Sequence, residues 1–121
     1  MSDDCLFCAI VAGAVPSTKV LETDRVLAFR DIAPQAPTHV VVIPKAHFAD
    51  VADLAGSDPG YLGEVFAAAA QVAELEGLTR GHRIIANTGP DSGQTVFHLH
   101  VHVLGGSNLG LLAGGTAASS R

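Results

Sequence analysis

Apolar positions along the chain fall into short runs of two different periods. Leu6, Phe7, Ile10 and Val11 recur at helical spacing, and Gly13 and Pro16 end what this predicts as a short first helix. Lys19 to Thr23 and Val26 to Arg30, rich in Val, Leu and Phe, predict a hairpin turning at Asp24 and Arg25. Two prolines between Asp31 and Pro37 remove amide donors and make that stretch an ordered loop. His39 to Ile43 is nearly continuous Val and Ile, the pattern of a central strand covered on both faces, and Pro44 ends it. A long helix is predicted from about Ser57, as cap, to Glu76. Asp58 favours its positive end, and Leu62, Val65, Phe66, Ala69, Val72 and Ala73 form one side. Gly77 stops it. His82 to Ala86 and Val96 to Leu104 read as strands joined by the loop Asn87 to Thr95.

Composition narrows the class. The 121 residues are 48% apolar and 16% charged, which describes one globular domain with a real core. Seven Lys and Arg against twelve Asp and Glu leave a formal charge of -5 with no basic cluster, so long nucleic acid is not an expected partner and a small ligand remains open. The opening MSDDCLFCAI carries acids where a secretory signal carries positive charge, and no apolar run reaches membrane-spanning length. A cytoplasmic protein without membrane association is expected. In a reducing compartment the Cys5 and Cys8 pair, spaced CxxC, is not expected to be a structural disulfide.

Chemistry concentrates in Phe97-His98-Leu99-His100-Val101-His102-Val103-Leu104. Side chains alternate along an extended strand, so His98, His100 and His102 are expected on one face with Leu99, Val101 and Val103 behind them. Two readings fit. Three imidazoles can coordinate one divalent metal, or one imidazole attacks while its neighbours orient it. Strand geometry favours the second, because four positions span roughly 13 Å and the outer two rings strain to reach one ion. The preceding Gly-Pro-Asp-Ser-Gly-Gln-Thr segment, with Gly93, Gln94 and Thr95, is a plausible cradle for phosphate or carboxylate.

The run from Gly93 to Gly106 closely resembles the signature of the histidine triad proteins, specifically their nucleotide-binding phosphoramidase branch. Three further segments agree: Cys5-Leu6-Phe7-Cys8, Phe29 to His39, and Val42-Ile43-Pro44-Lys45-Ala46-His47. The resemblance implies an α+β subunit with a five-stranded antiparallel sheet, one long helix and a short N-terminal helix, paired as a homodimer. It implies binding of purine nucleoside monophosphates and hydrolysis of the P–N bond in nucleoside 5'-phosphoramidates. By that resemblance His100 is the nucleophile that forms a nucleotidyl-histidine, His102 contacts phosphate and His98 orients the centre. Thr95 stands where the branch commonly has serine, its hydroxyl contacting phosphate or assisting the leaving group. Gln94 and Asn87 lie at the phosphate, Asp31 accepts from the ribose hydroxyls, and Phe7, Phe29 and Ile32 wall the base pocket. His39 hydrogen-bonds behind the triad.

The resemblance also implies a structural zinc held by Cys5, Cys8, His47 and His98, with no metal required for the chemical step. It places one domain over residues 1–106. Residues 107–121, rich in Gly, Ser and Ala, are expected to be loose or to contact the partner subunit. That tail departs from relatives that continue past Gly-Gly with Arg and end near Trp-Pro-Pro-Gly, and the chain has no tryptophan. Two alternatives accompany the phosphoramidase reading: hydrolysis of dinucleoside polyphosphates or nucleotidyl transfer, and a zinc-containing purine nucleotide-binding regulatory protein.

Overall fold

Proline, glycine and aspartate cut the chain into its elements. The structure, a computed structural model, describes residues 5–111. The tail expectation for residues 112–121 therefore lies outside the described residues. Helix α1 (Leu6–Val11) is followed by strands β1 (Lys19–Glu22), β2 (Val26–Arg30) and β3 (Thr38–Pro44). Helices α2 (Val51–Ser57) and α3 (Pro59–Leu75) come next, then β4 (His82–Ala86), a 3-10 turn at Pro90–Ser92, and β5 (Val101–Gly105).

The five strands form one antiparallel sheet in the order β1-β2-β3-β5-β4. This is the α+β fold that the sequence predicts. Strand β3 sits at its centre, and both faces of that strand are covered, as its unbroken Val and Ile pattern requires. Val40 and Val42 join Val26, Ala28, Val101 and Val103 in packing against Tyr61, Val65, Ala69 and Val72 of α3. Val41 and Ile43 face the other way, with Leu27 and Phe29, onto Phe7 and Ile10 of α1. Each Val, Leu, Ile or Phe side chain taken fully out of water contributes roughly 1.5–3 kcal/mol.

Two predicted elements need correction. The single helix from Ser57 to Glu76 is two helices, because Asp58 is extended (φ -155°) and precedes Pro59. Ser57 closes α2, and the Asp58 carboxylate caps α3 by accepting from the Tyr61 amide. Gly77 stops α3 as expected. At φ 69° it lets Leu78 N–H reach Ala73 C=O and its own N–H reach Glu74 C=O. Phe66, predicted on the packed side of this helix, is 37% exposed, because the contact stripe runs through Val65, Ala68, Ala69 and Val72 instead.

The predicted strand Val96–Leu104 pairs only from Val101 onward. Continuing the β3–β5 register places Pro44 opposite Leu99, and proline has no amide with which to extend the ladder. The Leu99 amide turns instead to the Phe48 carbonyl at 2.6 Å. Residues 96–100 thus approach β5 outside the ladder, which frees the backbone around His98 and His100. Among the described residues, no helix is long and apolar enough to cross a membrane.

Candidate active site and metal centre

Each histidine of the triad is held by a different partner, and each partner fixes which ring nitrogen carries a proton. His98 is fully buried, and its Nε2 lies 2.8 Å from the Pro44 carbonyl. A carbonyl only accepts, so Nε2 is the protonated nitrogen and Nδ1 carries the lone pair. That lone pair faces Cys5 Sγ at 3.3 Å and Cys8 Sγ at 3.5 Å. His47 Nδ1 lies 3.3 Å from Cys8 Sγ. The four ligand atoms all fall within 4.8 Å of one another.

Two sulfurs and two imidazoles suit a tetrahedral zinc, whose bond lengths give ligand-to-ligand edges of about 3.5 Å. The three contacts just given, at 3.3, 3.3 and 3.5 Å, match that edge. Burial and the neighbouring Cys5 thiol push the Cys8 thiol up to about 11, so without a cation beside it Cys8 is held as the neutral thiol. The residues present therefore fit the ion. The arrangement joins α1 to the segment after β3 and to the triad.

His100 donates from Nδ1 to the carbonyl of His98, 2.8 Å away. Its Nε2 is left as the basic nitrogen. Burial lowers its pKa below the ordinary histidine value, the His98 carbonyl and the Asp31 carboxylate opposing this, and the ring is neutral at pH 7. The ring packs edge-on against Phe7, with centroids 5.0 Å apart, and against His102, also at 5.0 Å.

His102 is governed from behind. The Gln35 amide donates to His39 Nδ1 at 3.0 Å, so the proton of neutral His39 resides on Nε2 and is directed at His102 Nδ1, 2.8 Å away. His102 consequently presents an Nε2–H. Burial, together with the proximity of His100 and His39, pushes its pKa down to about 4. Asp31 Oδ2 lies 3.4 Å from His39 Nε2, while Oδ1 accepts from the Ala33 amide at 2.8 Å. Asp31, His39 and His102 are close enough to suggest a second metal group. The fixed tautomers make them a hydrogen-bonded chain instead, since neutral His39 has its only lone pair committed to Gln35.

The triad does not converge on one point. His98 turns to the thiols, His102 to His39, and His100 stands between with a free Nε2. This removes the geometry needed for one ion held by all three rings.

The remaining predicted residues divide. Phe7 and Phe29 are buried together, edge to face at 5.6 Å, beside His100. Ile32, expected beside them, is 99% exposed on the loop after Asp31. Thr95 is exposed and Asn87 half-buried, at either end of the loop between β4 and the triad. Gln94 departs from expectation. Its Oε1 accepts from the Gly89 amide at 2.8 Å, and its Nε2 donates to the Ala49 and Val96 carbonyls at 2.9 and 3.1 Å. Both donors expected for a phosphate are spent on backbone, so Gln94 shapes the loop. Gly89 and Gly93, at φ 81° and 93°, supply the turns on either side. A cavity of about 580 Å³, lined by Arg80, Arg83, Ser107 and Asn108 among others, lies at the other end of β4 from Asn87 and does not include the triad.

Sequence reasoning missed the backbone groups that set the tautomers: the Pro44 and His98 carbonyls and the Gln35 amide. No residue type signals them, because each acts through its main chain.

Comparisons with known proteins place the family and the fold. The profile of the family described as HIT domain matches residues 12–109. A protein of Escherichia coli strain K12 named purine nucleoside phosphoramidase is 42% identical over 111 residues, covering 91% of this chain and 93% of that protein. An uncharacterized HIT-like protein of Synechococcus elongatus is 46% identical over 109 residues, covering 90% of this chain and 96% of its own. Among solved structures, a HIT family hydrolase from Clostridium thermocellum superposes with a TM-score of 0.88 at 44% identity, covering 93% of this chain and 98% of that one. A histidine triad protein from Clostridium difficile superposes at 0.87 with 40% identity, covering 93% and 99%.

Proposed function

The chain belongs to the HIT domain family, and on that footing we propose that it is a purine nucleoside phosphoramidase. It cleaves the P–N bond of nucleoside 5'-phosphoramidates to the monophosphate and an amine. The observation that carries this reading is the state of His100: a neutral ring, its Nδ1–H held by the His98 carbonyl, with Nε2 left to attack. The name of the Escherichia coli relative supports the substrate class.

In the first step Nε2 of His100 bonds to the α-phosphorus and the bond to the amine nitrogen breaks. An amine leaves poorly as an anion, so it takes a proton from solvent as it departs, relayed by the Thr95 hydroxyl. His102 Nε2–H donates to a phosphoryl oxygen, its direction set by His39. Water then cleaves the nucleotidyl-histidine to the monophosphate and returns His100. Asn87 and the loop shaped by Gln94 border the phosphate, Asp31 accepts from the ribose, and Phe7, Phe29 and Ile32 contact the base.

A structural zinc on Cys5, Cys8, His47 and His98 belongs to the same reading. When bound it supplies a cross-link rather than chemistry. The single catalytic domain spans residues 1–106 and works as a cytoplasmic homodimer, without membrane or long nucleic acid.

The test is AMP release from adenosine 5'-phosphoramidate by the wild type and by His100→Ala, with acid trapping of the intermediate. Release and a labelled histidine in the wild type, both abolished in a variant that still folds and binds AMP, are expected. AMP binding without turnover by the wild type overturns the assignment.

A further inference from the structure

We propose that Cys5 and Cys8 form a redox-reactive dithiol: a peroxide closes them into a disulfide, expels the metal and unties α1 from the histidine strand. The proposal rests on the zinc reading above and is independent of the nucleotide chemistry.

Cys5 is the N-cap of α1 and Cys8 the third residue inside it, with the Cys8 amide donating to Cys5 Sγ at 3.2 Å. This bond fixes the Cys5 side chain over the first turn, on which Cys8 sits. Both thiols are free, and their sulfurs lie within 4.8 Å, a gap that side-chain rotation closes to disulfide length. Access is uneven. Cys5 is buried, while Cys8 is half-buried beside the exposed His47, so Cys8 is the sulfur an oxidant reaches first. Held as a thiolate by the metal, its sulfur attacks hydrogen peroxide, forming the sulfenic acid and releasing hydroxide. The Cys5 thiolate then attacks the Cys8 sulfur, forming the S–S bond and expelling a second hydroxide. Two thiolates, one peroxide and two protons become one disulfide and two waters. The ion, left with only two imidazoles, departs.

The two linkages differ in what they connect. A metal on the four ligands ties residues 5 and 8 to residues 47 and 98, whereas the disulfide closes a ring within α1 alone. A cross-link confers stability by closing a long loop, so exchanging one for the other loses most of that constraint. Phe7 lies between the two cysteines and packs against His98 and His100, with centroids 6.0 and 5.0 Å apart. Oxidation therefore loosens the aromatic wall beside the central histidine.

The experiment titrates the reduced, zinc-loaded full chain with hydrogen peroxide, following intact mass, released zinc with a chromophoric chelator, and Tm. The expected result is one zinc released per molecule with a mass loss of about two hydrogens, mapped to a peptide linking Cys5 to Cys8. Tm should fall by roughly 5–10 °C, and dithiothreitol plus zinc should restore it. His47→Asn, which keeps both thiols, should close at lower peroxide than the wild type. Sulfinic or sulfonic products without the disulfide, disulfides between chains, or zinc retained through oxidation overturn the proposal. Failure of the reduced chain to take up zinc, read before any peroxide is added, overturns the metal reading and the release step with it.

Discussion

Replacing His39 with alanine tests whether the chain of fixed tautomers governs the site. The substitution removes the 2.8 Å bond to His102 Nδ1 and orphans the Gln35 amide that His39 accepts at 3.0 Å. Gln35 is exposed, so water can accept from its amide, and the loss in stability comes from His102 Nδ1 without its donor, on the order of 1 kcal/mol. The catalytic effect is separable. A net hydrogen bond of about 1–2 kcal/mol, lost from the orientation of His102 as charge develops on phosphate, corresponds to a kcat lower by roughly 5–30-fold. KM should stay within about threefold, since bound substrate and transition state share the remaining contacts. The pH profile gives a readout that mere destabilisation does not move. His39 contributes to holding His102 near 4, so its removal should raise the His102 pKa and shift the acid limb of the kcat profile upward. His39→Gln, whose amide can donate to His102, should recover part of kcat. The assay is AMP release at saturating adenosine 5'-phosphoramidate from about pH 3.5 to 8, with circular dichroism at each pH to establish the fold. A folded His39→Ala protein with wild-type kcat and an unmoved acid limb refutes the reasoning.

Acid should unfold the protein early. The unfolded chain protonates His102 near 6.5 and the folded chain only near 4, so the unfolded state binds more protons between those values. Stability is then lost as pH falls through that window, on the order of 2 kcal/mol from His102 by pH 4.5. A urea midpoint equal at pH 7.5 and 4.5 would contradict this. Gln94→Ala should cost about 2–3 kcal/mol by leaving the Gly89 amide and two carbonyls without their partner. Gln94→Glu should cost more, because a carboxylate cannot donate to the Ala49 and Val96 carbonyls. Denaturant titration of the two variants checks both size and order, and a glutamate variant as stable as wild type would return Gln94 to the phosphate.

Much of this was legible in the residues. The strand β3 and its two-sided cover follow from Val40 to Ile43, and the side-by-side placement of His100 and His102 follows from alternation. The break at Asp58 was written in Asp-Pro, but a continuous apolar stripe across α3 outweighed it. Strand alternation also placed His98 with its neighbours. Its departure toward the thiols depends on Pro44 ending a ladder some fifty residues away in the chain, which no local pattern contains. Gln94 illustrates the opposite limit. Its position in the loop was evident, but whether an amide faces ligand or backbone is decided in part by the Ala49 carbonyl, 45 residues earlier, that only folding brings near.

The strand order has a consequence for how the molecule comes into being. β1, β2 and β3 pair with their sequence neighbours, whereas β4 joins the sheet only through β5, and β5 must find β3 about sixty residues earlier in the chain. Local pairings form fast and distant ones slowly, so the meander of the first three strands can assemble while the histidine segment is still unmade. The last strand to dock then completes the sheet, the nucleophile and the fourth metal ligand in one event. The cysteine pair must wait for a histidine 90 residues beyond Cys8 before its site can close.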